Sequence, residues 1–339
     1  MRITPQEAIT HVKTCLFAGL VPMISGDPGV GKSDIVKQVF NAFNLKLIDI
    51  RLTQYDPTEM NGLFRINDAE RATHTPFDTF PLEKDPVPDG YDGWGIFFDE
   101  FNSAPQAVQA AAYKVVLDRM VGQYKLNKRV KMICAGNLAS NNAIVQRMST
   151  AMQSRLVHLE VGTDIEQWIS WANENKIDHR IIAYIQNTPD NLHKFNPDHD
   201  DKTFACPRTW FFASQLIKRT PGDIRPLEPL LAGAISEAVA TEFILYTNIY
   251  NDIPDIQTIM ANPDKIQFKQ DPGVLYALSN MVAAWLKPDN TNVLIQFIQR
   301  LPIEFTTITL QNAIKRNKKL CTVPEILEWI NLNAPGLFN

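Results

Sequence analysis

The chain has 339 residues, 45% of them hydrophobic and 21% charged, with 33 lysines and arginines against 37 aspartates and glutamates for a formal net charge of −4. This balance suits an ordinary globular chain of about two domains, and it argues against a partner held mainly by charge, such as bulk nucleic acid or an anionic membrane. No apolar run is long enough to span a bilayer, and the four cysteines (Cys15, Cys134, Cys206, Cys321) show no Cys-x-x-Cys spacing, so a reduced, cytoplasmic protein is expected rather than a disulfide scaffold or a zinc site.

At the start, Thr4-Pro5-Gln6-Glu7 reads as an N-cap followed by proline at the first helical position, which predicts a leading helix within residues 1–20. The apolar stretch Leu16 to Ile24 reads as the end of that helix plus a first strand, Val21–Ser25, rather than as a signal peptide. Next comes Gly26-Asp27-Pro28-Gly29-Val30-Gly31-Lys32-Ser33, which has the G-x-x-x-x-G-K-S pattern of a phosphate-binding loop. Its glycines let successive backbone N–H groups turn towards a phosphate, so Gly29, Val30, Gly31, Lys32, Ser33 and Asp34 form the expected cradle. Lys32 would reach the β/γ-phosphates and the Ser33 hydroxyl would hold Mg²⁺. A helix over Asp34 to Phe43 follows, with Ile35, Val36, Val39 and Phe40 on its apolar stripe.

Residues 62–93 carry Pro76, Pro81, Pro86 and Pro88 and are too irregular for a regular helix. Phe64, Phe77 and Phe80 are read as pinning this long loop to the core. Gly95-Ile96-Phe97-Phe98-Asp99-Glu100 then reads as a central parallel strand ending in two carboxylates at the crevice where open α/β sheets bind ligands. Asp99 would orient Mg²⁺ and its waters. Glu100 would polarise a water for in-line attack on a γ-phosphate. The adjacent pair suits water activation better than transfer to a second substrate.

Gly122 to Lys128 alternates like a β-hairpin, and Lys125, Lys128, Arg129 and Lys131 form a local basic run. A solvated hairpin tip explains that run, with contact to an acidic partner or nucleic acid as the alternative. Val130 to Asn137 reads as another buried strand. Asn137 is either the polar group that touches the γ-phosphate and the water or a strand-ending turn residue. Met148 to Leu156 reads as a short helix before an edge strand, Val157–Val161. Arg155 there could be a finger for a neighbouring subunit's γ-phosphate, or half of a surface ion pair. Arg147 competes for that role.

From about residue 163 the pattern is helical. Asp164 to Ala172 has acidic residues in its first turn, with Trp168 and Trp171 as packing residues on one face. Helical patterns continue over His179–Phe195, Arg208–Ile217, Leu227–Tyr250, Tyr276–Leu286 and Asn292–Leu301, with proline breaks at Pro272, Pro288, Pro302 and Pro324. The histidines show no metal-ligand spacing.

Together these segments resemble the MoxR branch of the AAA+ ATPases, including its dynein-related relatives, over roughly residues 1–250. Gln54-Tyr55-Asp56-Pro57-Thr58-Glu59-Met60-Asn61-Gly62 is similar to the family's Q-x-x-P-x-[DE]-x-x-G segment, and Asp99-Glu100-Phe101-Asn102-Ser103-Ala104 to its D-E-[IF]-N-x-A signature. Leu117 to Gly122 followed by Ala135-Gly136-Asn137 looks like its L-x-R-x-x-G…A-x-N run. Cys206-Pro207-Arg208 matches the S-P-R of the second sensor, with Cys where Ser is usual. The resemblance implies an α/β P-loop NTPase αβα sandwich, the AAA+ core, followed by an all-α lid and a helical C-terminal region. The expected boundaries are 1–162, 163–254 and 255–339. It also implies ATP and Mg²⁺ as ligands, and Arg208 reporting nucleotide state from the lid. Arg155 is favoured as the finger although Leu156 stands where Phe is usual. An insert in the 62–93 region would face a ring pore, with Phe64, Phe77 and Phe80 as pore contacts the alternative to pinning the loop.

Further implications are a homo-oligomeric ring, expected as a hexamer, and a chaperone-like role towards a partner bearing a von Willebrand factor A-type domain. The setting would be the cytoplasm of a bacterium, with a bacteriophage gene as the other source. Two other readings remain open at this point. A DNA-directed AAA+ motor or loader is favoured by the basic hairpin and opposed by the acidic balance. A nucleotide-gated scaffold without turnover is opposed by the intact Lys32, Asp99 and Glu100.

Overall fold

The computed structural model describes residues 1–68, 70–138, 146, 148–198, 201–220, 222–251 and 253–333. The chain divides into two compact units, Met1–Thr163 with Asn196–His199, and Asp164–Phe195 with Asp200–Asn339.

In the first unit the elements run β1 (Arg2–Ile3), α1 (Pro5–Phe17), β2 (Pro22–Gly26), α2 (Lys32–Ala42), β3 (Leu45–Arg51), α3 (Pro57–Asn61), β4 (Leu63–Ile66) and β5 (Ala72–Thr75). They continue as β6 (Gly93–Asp99), α4 (Gln106–Tyr113), β7 (Met120–Val121), β8 (Tyr124–Lys125), β9 (Val130–Gly136), α5 (Thr150–Gln153) and β10 (Val157–Val161). Six strands form one sheet in the order β1-β10-β2-β9-β6-β3, and every pairing in it is parallel. The sheet is apolar on both faces because neighbouring residues along a strand point to opposite sides. Ile24, Phe97, Ile133 and Ala135 pack with Val12 and Leu16 of α1 and Val36 and Phe40 of α2. Met23, Ile96, Phe98, Met132 and Cys134 pack with Val108 and Ala112 of α4 on the other face.

The Thr4 cap is present as a reciprocal capping box with Glu7, and Pro5 opens α1. Two expectations are corrected. Val157–Val161 is not an edge strand. Arg2 and Ile3 pair beside Glu160 and Val161 and take the edge themselves, and the Arg2 guanidinium bridges Glu160 (3.1 Å) and Asp27 (3.0 Å). A two-residue strand is too short to leave a period in the sequence. The 62–93 region holds no regular helix among its described residues, as expected, but β4 and β5 pair antiparallel within it, Leu63 opposite Thr75 and Phe64 opposite His74, which bears on the second correction, Phe64 as a pin to the core. Leu63, Phe64 and Ile66 are all exposed, so the hairpin has no buried face to impose alternation. Phe64 stacks on His74 instead of reaching the core, whereas Phe80 is buried there.

The β7–β8 hairpin forms before β9, with Met120 opposite Lys125. The basic run is divided by its contacts. The Lys131 ammonium donates to the Leu16 carbonyl oxygen at the end of α1 (2.8 Å), where the helix dipole favours a cation, while Lys125, Lys128 and Arg129 are exposed.

The second unit is helical: α6 (Ile165–Glu174), α7 (His179–Asn187), α8 (Pro207–Arg219), α9 (Glu228–Ile235), α10 (Glu237–Thr247), α11 (Ile256–Ala261), α12 (Pro272–Trp285), α13 (Thr291–Ile298), α14 (Ile303–Arg316) and α15 (Pro324–Asn333). Trp168 is buried in the cluster that includes Ile182, Trp210 and Phe243, and Trp171 packs against it half-buried. Buried polar groups tie early helices to late ones. Arg316 of α14 donates to the Asn173 side chain and the Ile177 carbonyl (2.7 Å each), and Asn280 of α12 links Gln186 to Asn312. Among the described residues, no helix is long and apolar enough to cross a membrane.

Candidate nucleotide-binding site

Strand β2 ends at Gly26, and the chain turns through a short loop into α2. Gly29 (φ +79°) and Gly31 (φ +98°) hold left-handed conformations that glycine adopts without strain. Gly26 is required for a different reason: a Cβ there would lie 2.5 Å from the Val161 carbonyl oxygen. Gly31 caps α2 with no side-chain bond, so the first N–H groups of the helix face the loop, as at anion-binding helix N-termini. The Lys32 ammonium donates to the carbonyl oxygens of Gly26 (2.7 Å) and Asp27 (3.2 Å) and to Oδ1 of Asn137 (3.3 Å).

Strands β2, β9 and β6 are neighbours, so Gly26, Asn137 and Asp99 come to the same end of the sheet. The Ser33 hydroxyl lies 3.5 Å from Oδ2 of Asp99. Burial raises the Asp99 pKa, opposed by the hydrogen bond from the Glu100 N–H and aided by the charges of Glu100 and Asp49. A divalent cation would relieve that penalty, and an oxygen pair of hydroxyl and carboxylate fits Mg²⁺. Among the described residues, no group of three or more His, Cys, Asp or Glu side chains could hold a metal without other donors.

Glu100 sits in the left-handed region (φ 55°, ψ 33°) as the strand gives way to a 3₁₀ turn over Phe101–Ser103. A non-glycine residue there is strained, a feature that collects at functional sites. The Glu100 carboxylate accepts a hydrogen bond from the Thr53 hydroxyl. Sequence reasoning gave Thr53 no part. The register does: Arg51 at the end of β3 pairs with Asp99, so the residue two places on meets the residue after Asp99.

The remaining predicted residues are more dispersed. Arg155 follows α5, exposed, with its guanidinium on the Ala151 carbonyl oxygen (2.9 Å). Strand β10 runs parallel to β2, with Val157 beside Pro22 and Val161 beside Gly26. Arg155 therefore leaves the sheet at the end opposite Lys32, on the order of 15 Å away along the strands. Arg147 lies outside the described residues. Arg208 is exposed in the first turn of α8 in the second unit. Its neighbour Cys206 caps that helix reciprocally with Thr209: the Cys206 N–H donates to Thr209 Oγ1 (2.8 Å), which itself lies 3.5 Å from the sulfur.

Residues 22–156 match the AAA domain of the dynein-related subfamily. The matched stretch opens on β2 and closes one residue after Arg155, so it takes in the phosphate loop, Asp99, Glu100 and Asn137. The parallel sheet flanked by helices, with the phosphate loop between β2 and α2, gives the first unit the α/β fold of a P-loop NTPase, and an all-α region follows it. No curated protein matches the sequence. Among solved structures, the RuvB Holliday junction branch migration motor of Thermotoga maritima is 12% identical, covering 77% of this chain and 75% of its own, with a TM-score of 0.37. A provisionally named ATPase of Cytophaga hutchinsonii is 14% identical, covering 98% and 90%, with a TM-score of 0.36. NtrX of Brucella abortus is 13% identical, covering 99% and 68%, with a TM-score of 0.37.

Proposed function

We propose that the chain is a MoxR-like AAA+ ATPase that hydrolyses ATP with Mg²⁺ in an oligomeric ring and uses the cycle to remodel or mature a partner protein. The observation that carries this reading is the convergence of Lys32, Ser33, Asp99, Glu100 and Asn137 at one end of the sheet, across three neighbouring strands.

The backbone N–H groups of residues 29–34 receive the phosphates, helped by the positive end of the α2 dipole. Lys32 exchanges the carbonyl oxygens of Gly26 and Asp27 for β- and γ-phosphate oxygens, an interaction between two charged groups that neutral carbonyls do not match. Ser33 and Asp99 are the residues that would hold Mg²⁺, which when bound neutralises charge on the β- and γ-phosphate oxygens. Glu100 leaves the Thr53 hydroxyl and takes a proton from the attacking water. Asn137, already beside the Lys32 ammonium, orients that water. Arg155, at the far end of the sheet, serves the site of the next protomer, which is the support for a ring, and Arg208 reads the nucleotide from the helical unit. The exposed Leu63, Phe64 and Ile66 of the β4–β5 hairpin give the ring a contact for the protein it acts on. The resemblance supplies the partner class, a protein with a von Willebrand factor A-type domain, and a cytoplasmic setting.

The test is phosphate release by the purified chain with ATP and Mg²⁺, alongside light scattering of the E100Q variant with ATP and with ADP. Turnover that K32A abolishes, with E100Q growing to about six protomers in ATP only, is the expected result. A parent chain that neither binds nor cleaves ATP overturns the proposal. Turnover by a monomer at every concentration overturns the ring.

A further inference from the structure

Asn102 takes no part in the chemistry just described, yet it is buried between the two strand ends that bear it. Its side-chain amide makes both backbone hydrogen bonds of one residue: Nδ2 donates to the Asn137 carbonyl oxygen (2.7 Å), and the Asn137 N–H donates to Oδ1 (3.0 Å). The amide thus behaves as one more peptide unit added to the ladder just past Gly136, the last residue of β9. The backbone carbonyl oxygen of Asn102 accepts from the Gln146 N–H (2.7 Å). Space around the pair is closed. A Cβ on Gly136 would stand 2.1 Å from Asn102 Oδ1 and 2.7 Å from the Met23 methyl, so glycine before Asn137 is a condition for the amide to reach.

Asn102 is also two residues from Glu100, inside the turn whose Ser103 N–H donates to the Glu100 carbonyl oxygen (2.9 Å). One short turn therefore fixes the Glu100 backbone at one end and the Asn137 backbone at the other. Asn137 in turn carries the side chain that meets the Lys32 ammonium at 3.3 Å.

We infer that Asn102 is a positioning residue: its amide holds Asn137 in register with Glu100, so that the group orienting the water and the group taking its proton are set by a single clamp. The inference rests on the ATPase reading. It predicts a defect in turnover and not in nucleotide binding, because the Asn102 amide bonds the Asn137 backbone and not the phosphate loop or Ser33.

The chemistry of the clamp gives a test that simple packing does not. An amide both donates and accepts here. A carboxylate only accepts, and would set a negative oxygen against the Asn137 carbonyl. A protonated carboxyl group again does both. In N102D, kcat is expected to be at least tenfold below the parent at pH 8, with the Kd for a fluorescent ATP analogue within threefold. The ratio of N102D to parent kcat should climb as pH falls towards the carboxyl pKa. In N102A the ratio should stay flat with pH, and the N102A/N137A double variant should turn over no more slowly than N137A alone, since both changes disable one unit.

A parent-like kcat in N102D and N102A, multiplying effects in the double variant, or a pH-independent ratio in N102D overturns the inference. Variants too unstable to purify overturn it as well, by making Asn102 a scaffold residue. Each of these leaves the ATPase reading standing if the parent hydrolyses ATP. A parent without turnover fails that reading first.

Discussion

Replacing Glu100 by glycine should make the fold of the first unit more stable than replacing it by alanine, while both changes abolish turnover. Glu100 has φ 55° and ψ 33°, and an L-residue in that region carries about 1–2 kcal/mol of strain. Glycine does not, but it loses about 0.5–1 kcal/mol more conformational entropy on folding. Mid-range values, about 1.5 against about 0.75 kcal/mol, favour glycine by about 0.75 kcal/mol. Alanine is the right reference, because E100A and E100G lose the carboxylate and its bond from Thr53 equally, so only the backbone differs. The assay is amide hydrogen exchange of peptides from β6 and β9, whose slowest amides report the opening free energy of this unit by itself. That energy corresponds to about a two- to fivefold slower exchange in E100G than in E100A. Equal exchange, or faster exchange in E100G, would refute the argument that the acid pair is held at a cost in backbone strain.

Three more outcomes follow from particular contacts. Because burial raises the Asp99 pKa, ionising it costs the folded chain more than the unfolded one, so its contribution to stability is fullest at acid pH and is lost as pH rises through the folded pKa. D99N should therefore melt higher than the parent at neutral pH and with no advantage near about pH 4, while losing Mg²⁺-dependent turnover; lower stability at neutral pH would contradict this. Gly95→Ala would place a Cβ 2.5 Å from the Phe40 ring on α2, an overpacking worth about 1–3 kcal/mol, and adding F40L should recover part of the loss in urea denaturation; strict additivity of the two would speak against direct contact. R155A should bind ATP as the parent does and lose turnover once assembled, whereas a parental rate in R155A, measured by phosphate release, would remove it as the finger.

The sequence was most legible where a feature lies within a few consecutive residues. The phosphate loop needs glycines, a lysine and a serine at fixed spacing, and such a loop is a local turn that neighbours do not redirect. The α1 cap and the apolar strand before Asp99 are local in the same way. What stayed hidden depends on partners far along the chain. Thr53 meets Glu100 only through the β3–β6 register, and Asn102 meets Asn137 across 35 residues. The β4–β5 hairpin was missed because neither of its faces is buried, and β1 because two residues cannot show a period. The placement of β10 inside the sheet follows from the same two residues. The helical unit was readable as helices, but its polar ties, such as Arg316 to Asn173, pair residues whose types give no sign of each other.

Lys32 and Arg155 leave the same sheet from opposite ends, because β10 runs parallel to β2. If both act on phosphate, the working unit is a junction between two chains, and each chain owns half of two such units. Variants that are silent alone then need not stay silent in company. A mixture of K32A and R155A protomers contains junctions where an intact lysine faces an intact arginine, so complementation between two dead chains becomes a property of the fold, and a single protomer lacking both residues disables two junctions rather than one.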